Sequence, residues 1–130
     1  QAYYWFRRNQ AHHRPGELLE QIRRTLKRHH TDSDQRLREA GDEPVSPALT
    51  PAHLAKILGP GRLGISHQVP EPGAVPAVLA DYARHAGTSA RRLENLLTLF
   101  GGAKLANVCN DGAPKCGECD VVFCKRLRYR

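Results

Sequence analysis

The chain has 130 residues, a length that favours a single domain with a hydrophobic core of modest size. Its 20 lysines and arginines outnumber its 13 aspartates and glutamates, and the resulting net charge of +7 predicts contact with a polyanion, nucleic acid first and an anionic membrane surface second. No apolar run approaches the length of a bilayer-spanning helix, so we expect no membrane span, and the lack of any methionine indicates a processed chain or a fragment.

Residues 1–14 are expected to form an aromatic and basic N-terminal arm. Half of the aromatic residues of the chain lie in the tetrapeptide Tyr3–Phe6, and Arg7 and Arg8 follow it directly. Such a cluster at a chain end is typical of a terminus that docks onto the core. The alternative is that the rings stack on nucleic-acid bases while the arginines contact phosphate.

Residues 15–100 are expected to form a helical body, so the predicted fold class is mainly α, a small bundle of about four or five short helices. The spacing of apolar residues predicts helices over residues 17–30, 32–40, 51–58, 76–86 and 90–100. Thr50 suits the N-cap of the third helix. Gly87 and a capping hydroxyl at Thr88 or Ser89 separate the last two helices, which indicates an αα-hairpin.

The segments between these helices are predicted from their glycine, proline and capping residues. Asp32 or Ser33 is expected to cap the second helix, and residues 42–49 have the composition of a linker. Residues 59–64 suit an ordinary loop, which we favour, or half of a helix-hairpin-helix that binds DNA phosphate through backbone N–H groups. Residues 65–69 suit a short β segment.

A row of cations covers one side of the first helix. A solvated helix face is the simpler interpretation, and a face that follows a phosphate backbone is the functional one. Residues 125–130 add a basic tail, interpreted either as a frayed terminus or as a further phosphate contact. The predicted nucleic-acid-binding residues are Arg23, Arg24, Lys27, Arg28, Lys115, Lys125, Arg126 and Arg128.

All four cysteines lie in residues 101–130, which we interpret as a cysteine loop and basic tail, and their spacing is C-x6-C-x2-C-x4-C. Thiolates this close in sequence can close a tetrahedral zinc site or hold an iron–sulfur cluster, and the loop would then be unfolded without its metal. Two disulfide bonds in a secreted chain are the third interpretation. The candidate metal ligands are Cys109, Cys116, Cys119 and Cys124, with a [4Fe-4S] cluster or Zn²⁺ as the cofactor.

The loop resembles the [4Fe-4S] loop of the endonuclease III and MutY group of DNA glycosylases. In that family the cysteines follow C-x6-C-x2-C-x5-C, with a proline and then a basic residue before the second cysteine. Residues 114–119, Pro-Lys-Cys-Gly-Glu-Cys, match this portion, whereas the last gap here has four residues rather than five. The resemblance covers roughly the last twenty residues. It implies that the cysteines bind a cluster and that Lys115 and the basic tail face DNA phosphate.

The sequence contains no phosphate-binding loop, no H-E-x-x-H and no nucleophile elbow. Asp81 is the one carboxylate on a predicted inner helix, and glycosylases of the family use an aspartate to assist attack at the sugar. The segment between Asp81 and Cys109 is too short for the helices of that family. We therefore assign no catalytic residue and interpret Asp81 as a solvated helix residue.

Together these features predict an intracellular nucleic-acid-binding protein or module with a structural metal site, belonging to a larger protein or ribonucleoprotein complex. Whether the chain has enzymatic activity is left open, and we favour none for this chain alone. One alternative is a secreted, disulfide-stapled factor that binds an acidic receptor or a glycosaminoglycan. Another is a fragment of an enzyme similar to the DNA glycosylases.

Overall fold

The computed structural model describes residues 14–122 and residue 124. This part of the chain is mainly α-helical, with five α-helices and no β-strand, which confirms the predicted fold class. None of its helices combines the length and the apolar composition that crossing a bilayer requires. The predictions made for the aromatic tetrapeptide and for the basic tail lie outside the described residues.

Each predicted helix is present, and its bounds lie within two residues of the predicted ones. The helices are α1 (Pro15–His29), α2 (Thr31–Ala40), α3 (Pro51–Leu58), α4 (Val75–Ala86) and α5 (Ala90–Gly101), with single 3₁₀ turns at Pro72–Ala74 and Cys116–Glu118. Helix α1 begins earlier than predicted, at Pro15. Proline suits the first helical position because its φ is already helical and its missing N–H would have no partner there.

The predicted caps of the later helices are confirmed. The hydroxyl of Thr50 accepts a hydrogen bond from the backbone N–H of His53 at the start of α3, at 3.1 Å. The hydroxyl of Ser89 accepts one from the N–H of Arg92 at the start of α5, also at 3.1 Å. Gly87 ends α4 in the left-handed conformation, with φ of 76°. These bonds satisfy N–H groups that the first helical turn leaves without a partner.

Two local predictions are wrong. Neither Asp32 nor Ser33 caps α2, because α1 passes into α2 through the single residue His30, so that both side chains already lie in the first turn. The segment 65–69 forms bends rather than a β-strand. A strand needs a neighbour to complete its hydrogen bonds, and no extended segment within the described ranges pairs with this one.

The hydrophobic core lies where α1, α4 and α5 pack against one another, with α3 against the last two. Helices α4 and α5 form the predicted αα-hairpin. The apolar residues of each helix recur at intervals of three or four, which places them on one face. The fully or nearly fully buried side chains include Leu18, Ile22 and Leu26 of α1, Val78, Leu79 and Tyr82 of α4, and Leu93, Leu97 and Phe100 of α5.

Asp81 is buried rather than solvated, which corrects the interpretation made from the sequence. Asp81 is 7 % exposed and lies on the inner side of α4. Its carboxylate pairs with Arg84, one turn along the same helix, and His85 lies beside it with Nδ1 2.8 Å from the main-chain oxygen of Asp81. The carboxylate therefore takes part in a local charge pair at the edge of the core.

Candidate metal site at the four-cysteine loop

The first cysteine is fixed against the end of α5. The backbone N–H groups of Val108 and Cys109 both donate to the carbonyl of Phe100, at 2.8 and 3.1 Å, and Ala106 donates to the carbonyl of Leu99 at 3.1 Å. The last carbonyls of a helix have no partner within the helix, so this loop satisfies them. The cysteine loop thus packs on the end of the αα-hairpin, as the short connection between α5 and Cys109 predicted.

The two central cysteines are placed by a 3₁₀ turn. Cys116 opens this turn, and the N–H of Cys119 donates to the carbonyl of Cys116 at 3.2 Å. The N–H of Lys115 donates to the carbonyl of Val108 at 2.7 Å, which holds the turn beside the segment that carries Cys109. Residues far apart in the loop are therefore brought to one place by main-chain bonds alone.

The four cysteines line one small cavity of about 20 Å³, together with apolar groups that include Phe100, Val108 and Pro114. Cys109 and Cys124 are each 7 % exposed, and the other two are half-buried. Burial raises the pKa of the Cys109 thiol, and it raises the pKa of the Cys119 thiol to about 12. The neighbouring cysteine sulfurs contribute to both increases, because like charges disfavour one another at short range.

The donor set of this cavity suits a soft metal, although the side chains are not arranged as ligands. No disulfide bond is present among the four cysteines. Within residues 14–122 and 124, no three histidine, cysteine or carboxylate groups are placed so that they could hold a metal ion. By chemical type, four cysteines that line one apolar cavity suit Zn²⁺ or an iron–sulfur cluster, since both are bound by cysteine thiolates.

Two residues from α3 and the loop after it, His53 and Arg62, contact the first cysteine, and the sequence did not predict these contacts. Arg62 is 3 % exposed, and its Nη1 lies 3.4 Å from the Sγ of Cys109 and 2.7 Å from the carbonyl of Asn110. His53 donates from Nε2 to the carbonyl of Cys109 at 3.2 Å. The one feature of the sequence that could have pointed to the contact of Arg62 with the cysteine loop is that it is the single cation in the glycine-rich segment 59–64.

That segment is an ordinary loop, the interpretation favoured from the sequence. The N–H groups of Arg62 and Gly64 both donate to the carbonyl of Gly59, at 3.1 and 2.9 Å, and the N–H of Leu63 donates to the carbonyl of Ile57 at 3.1 Å. A helix-hairpin-helix binds phosphate with such N–H groups. Here they bond to carbonyls of the same short stretch of chain.

Helix α1 is bonded directly to the far part of the cysteine loop. The N–H of Asp120 donates to the hydroxyl of Thr25, and the N–H of Val122 donates to the side-chain oxygen of Gln21, both at 2.9 Å. Arg28 forms an ion pair with Asp120 at 2.7 Å. These contacts place α1 against the loop that carries the cysteines, and among the described residues Arg28 is the one exposed cation of the helix in direct contact with it.

A side-chain hydrogen bond also joins the end of α1 to the 3₁₀ turn. His30 donates from Nε2 to the carboxylate of Glu118 at 2.9 Å. This hydrogen bond holds the pKa of Glu118 below its usual range, and the charge of Lys115 adds to the effect. The carboxylate of Glu118 is therefore favoured in its ionised form by groups on both α1 and the loop.

Five of the predicted nucleic-acid-binding residues lie in the described part of the chain, and three lie outside it. Those on α1 are exposed, and Arg23, Arg24 and Lys27 form no ion pair with any described residue. Lys115 is exposed in the loop. Lys125, Arg126 and Arg128 lie outside the described residues, so their prediction stays a prediction.

Comparisons with known proteins give no match for this chain: no family model, no curated protein and no solved structure is similar to it. The resemblance of the cysteine loop to that of the glycosylases stays a prediction. A functional proposal therefore depends on the chemistry of the loop and on the charges around it.

Proposed function

We propose that this chain is a nucleic-acid-binding module whose C-terminal loop is closed by a structural metal, bound by Cys109, Cys116, Cys119 and Cys124. The observation that carries the proposal is that these four residues, spread over the loop, line a single cavity. The metal is Zn²⁺ or a [4Fe-4S] cluster, and the similarity of the loop to that of the glycosylases favours the cluster.

The metal would supply the stability that this loop lacks by itself. Apart from one 3₁₀ turn, residues 102–122 contain no regular secondary structure. Burial raises the pKa of the thiols of Cys109 and Cys119, and a bound metal would displace the protons of its cysteine ligands. Metal binding and loop folding would then be one coupled process.

The basic surface supports nucleic acid as the partner. The chain has a net charge of +7, and α1, which carries exposed cations, is bonded to the loop through Arg28, Thr25 and Gln21. Closing the loop would hold Lys115 beside that helix face. Nucleic acid recognised through phosphate needs such a fixed set of cations. We place the module inside the cell, within a larger protein or ribonucleoprotein complex.

The experiment that tests the proposal is the binding of labelled single-stranded and double-stranded DNA and RNA oligonucleotides at several salt concentrations. We expect the logarithm of the affinity to fall linearly with the logarithm of salt, because bound cations release counterions from phosphate. The Arg23→Glu and Arg24→Glu variants should bind more weakly and show a shallower salt dependence. Arg91→Glu, an exposed arginine on α5, is the matched control and should change the affinity less.

The dependence on the metal is tested with Cys119→Ser. This variant removes one thiol from the cavity with little change in size, so we expect it to lose its metal and its nucleic-acid binding together. A variant that keeps its metal and binds normally contradicts the proposed link between loop and binding. Wild-type protein that binds none of the oligonucleotides at low salt contradicts the proposed partner.

A further inference from the structure

Arg62 carries a charge that forms no direct ion pair within the described chain. Among the carboxylates, Asp111 responds to it: the pKa of Asp111 is lowered first by Lys56, with which it pairs, and to a lesser degree by Arg62. Its guanidinium is buried, and none of the carboxylates among the described residues lies within ion-pair distance of it. Its acceptors are the carbonyls of Cys109, Asn110 and Asp111 and the sulfur of Cys109. A buried charge that is not paired is costly, because it has left water without gaining an opposite charge.

Carbonyl groups satisfy the N–H donors of Arg62, but they do not cancel its charge. The one acceptor that can become an anion in these contacts is the sulfur of Cys109, 3.4 Å from Nη1. A protonated thiol or a disulfide sulfur would leave the guanidinium without a counter-charge in direct contact. A thiolate would supply one at hydrogen-bond distance.

A metal–thiolate site is negatively charged as a whole. Four thiolates outweigh a divalent zinc ion, and they also outweigh the core of a cubane cluster. The remaining negative charge is placed on sulfur, where N–H donors and nearby cations stabilise it. The buried position of Arg62 beside one of the four sulfurs meets this requirement.

We infer that Arg62 is a positioning residue for the metal site: its guanidinium balances the negative charge of the filled site and orients Cys109 through its bonds to the sulfur and to the following carbonyls. This inference rests on the proposed function, because it needs a metal. Arg62 reaches the site from the loop after α3, so the metal would join that loop to the end of α5.

The test is the zinc affinity of the reduced, metal-free protein, measured by competition with a chromogenic chelator. For Arg62→Gln we expect an affinity lower by about 10-fold to 100-fold, the usual cost of losing a partner of a metal ligand. Arg62→Lys keeps the charge without the forked donor and should retain part of the affinity. Lys56→Gln removes an exposed cation that pairs with Asp111 of the same loop, and as the matched control it should change the affinity little.

A second measurement separates a role at the metal site from a purely structural one. We expect Arg62→Gln to lower the thermal midpoint of the zinc-loaded protein more than that of the metal-free protein, because only the filled site needs the charge. Equal losses in both states, or a metal-free variant that has lost its helical circular dichroism, would assign Arg62 to packing alone and overturn the inference. Unchanged zinc affinity in a folded Arg62→Gln protein would also overturn it. Wild-type protein that binds no zinc and, purified without oxygen, contains no iron would remove the metal site of the proposed function, which is a distinct result.

Discussion

At the scale of single residues, buried polar side chains join the loops of this protein to its helices. Asn95, on α5, is 2 % exposed and bonds to three main-chain groups of the linker that follows α2. Arg62 does the same for the cysteine loop. Ser89 caps its own helix and also donates to Asp42 at the start of that linker. Such contacts fix loops that carry few apolar side chains.

Replacing Asn95 with alanine tests this role. The change removes an acceptor for the N–H of Val45 and two donors to the carbonyls of Gly41 and Glu43. We expect the free energy of unfolding to fall by about 1–3 kcal/mol, since buried main-chain groups lose their partners. Chemical denaturation measures this value. Glu94→Ala, at the adjacent and partly exposed position, is the control, and an equal loss in both variants would contradict the assignment.

Asp42 gives this part of the fold a dependence on pH. The hydrogen bond from Ser89 lowers the pKa of its carboxyl below the ordinary value of 3.8, and Arg92 lowers it further. The pKa of Asp42 is lower in the folded protein than in the unfolded chain. The ionised carboxylate therefore contributes its full stabilisation above the unfolded-state pKa. The contribution is lost as the pH falls through the folded-state pKa.

The measurement compares the unfolding of wild-type and Asp42→Asn protein, both treated with chelator so that metal release does not contribute. We expect wild type to be the more stable near neutral pH and the difference to shrink as the pH is lowered to about 3. Glu43→Gln serves as the neighbouring control. A difference that stays constant over this range would show that the charge of Asp42 has no such effect.

Local features of the sequence predicted the caps of α3 and α5, but not the cap of α2 and not the buried polar contacts. Thr50 and Ser89 each bond to an N–H three residues later, so the sequence around them carries the information. Asn95 and Arg62 bond to groups 47 or more residues away. No local pattern identifies such a partner, because the pairing exists only after the helices have packed.

At the scale of elements, the close approach of α5 and the cysteine loop depends on a glycine. A Cβ added to Gly101 would lie 2.9 Å from the carbonyl oxygen of Cys109 and 2.8 Å from a methyl group of Ile57. The contact with the main chain cannot be relieved by a side-chain rotation. The loop can therefore sit on the end of α5 only while this position has no side chain.

Gly101→Ala should destabilise the protein, although alanine is the better helix former by about 1 kcal/mol. We expect a net loss of about 1–3 kcal/mol from the overpacking, together with weaker zinc binding because the main chain at Cys109 is displaced. Denaturation and chelator competition measure the two effects. Gly112→Ala is the control in the same loop, since an added Cβ there meets nothing within 4 Å. A more stable Gly101→Ala protein would show that helix propensity outweighs the contact.

Apolar periodicity predicted the helices well, and it could not predict which polar positions are buried. Thr25 is completely buried, yet it lies on the side of α1 that bonds to the cysteine loop rather than in the predicted apolar stripe. Gln21 is similar. Hydroxyl and amide groups are usually exposed, so the apolar pattern gives no reason to place these two side chains in the interior. The joining of α1 to the loop was therefore missed.

At the scale of the whole molecule, the cysteine loop connects three parts of the helical body. It is bonded to the end of α5 through Phe100, to the loop after α3 through Arg62, and to α1 through Thr25 and Arg28. The sequence predicted that the cysteines act together, because their spacing is short. It did not predict that the basic helix α1 would lie against them, which is what links the metal proposal to the nucleic-acid proposal.

The central claim is that the four cysteines hold a metal, and the most direct test is metal analysis with an absorption spectrum of protein purified without oxygen. The account predicts either about one zinc per chain in colourless protein, or about four irons per chain with a broad visible band. In both cases four thiols should be titratable after denaturation in chelator. Protein that contains no metal and no titratable thiol would contradict the account and indicate two disulfide bonds instead.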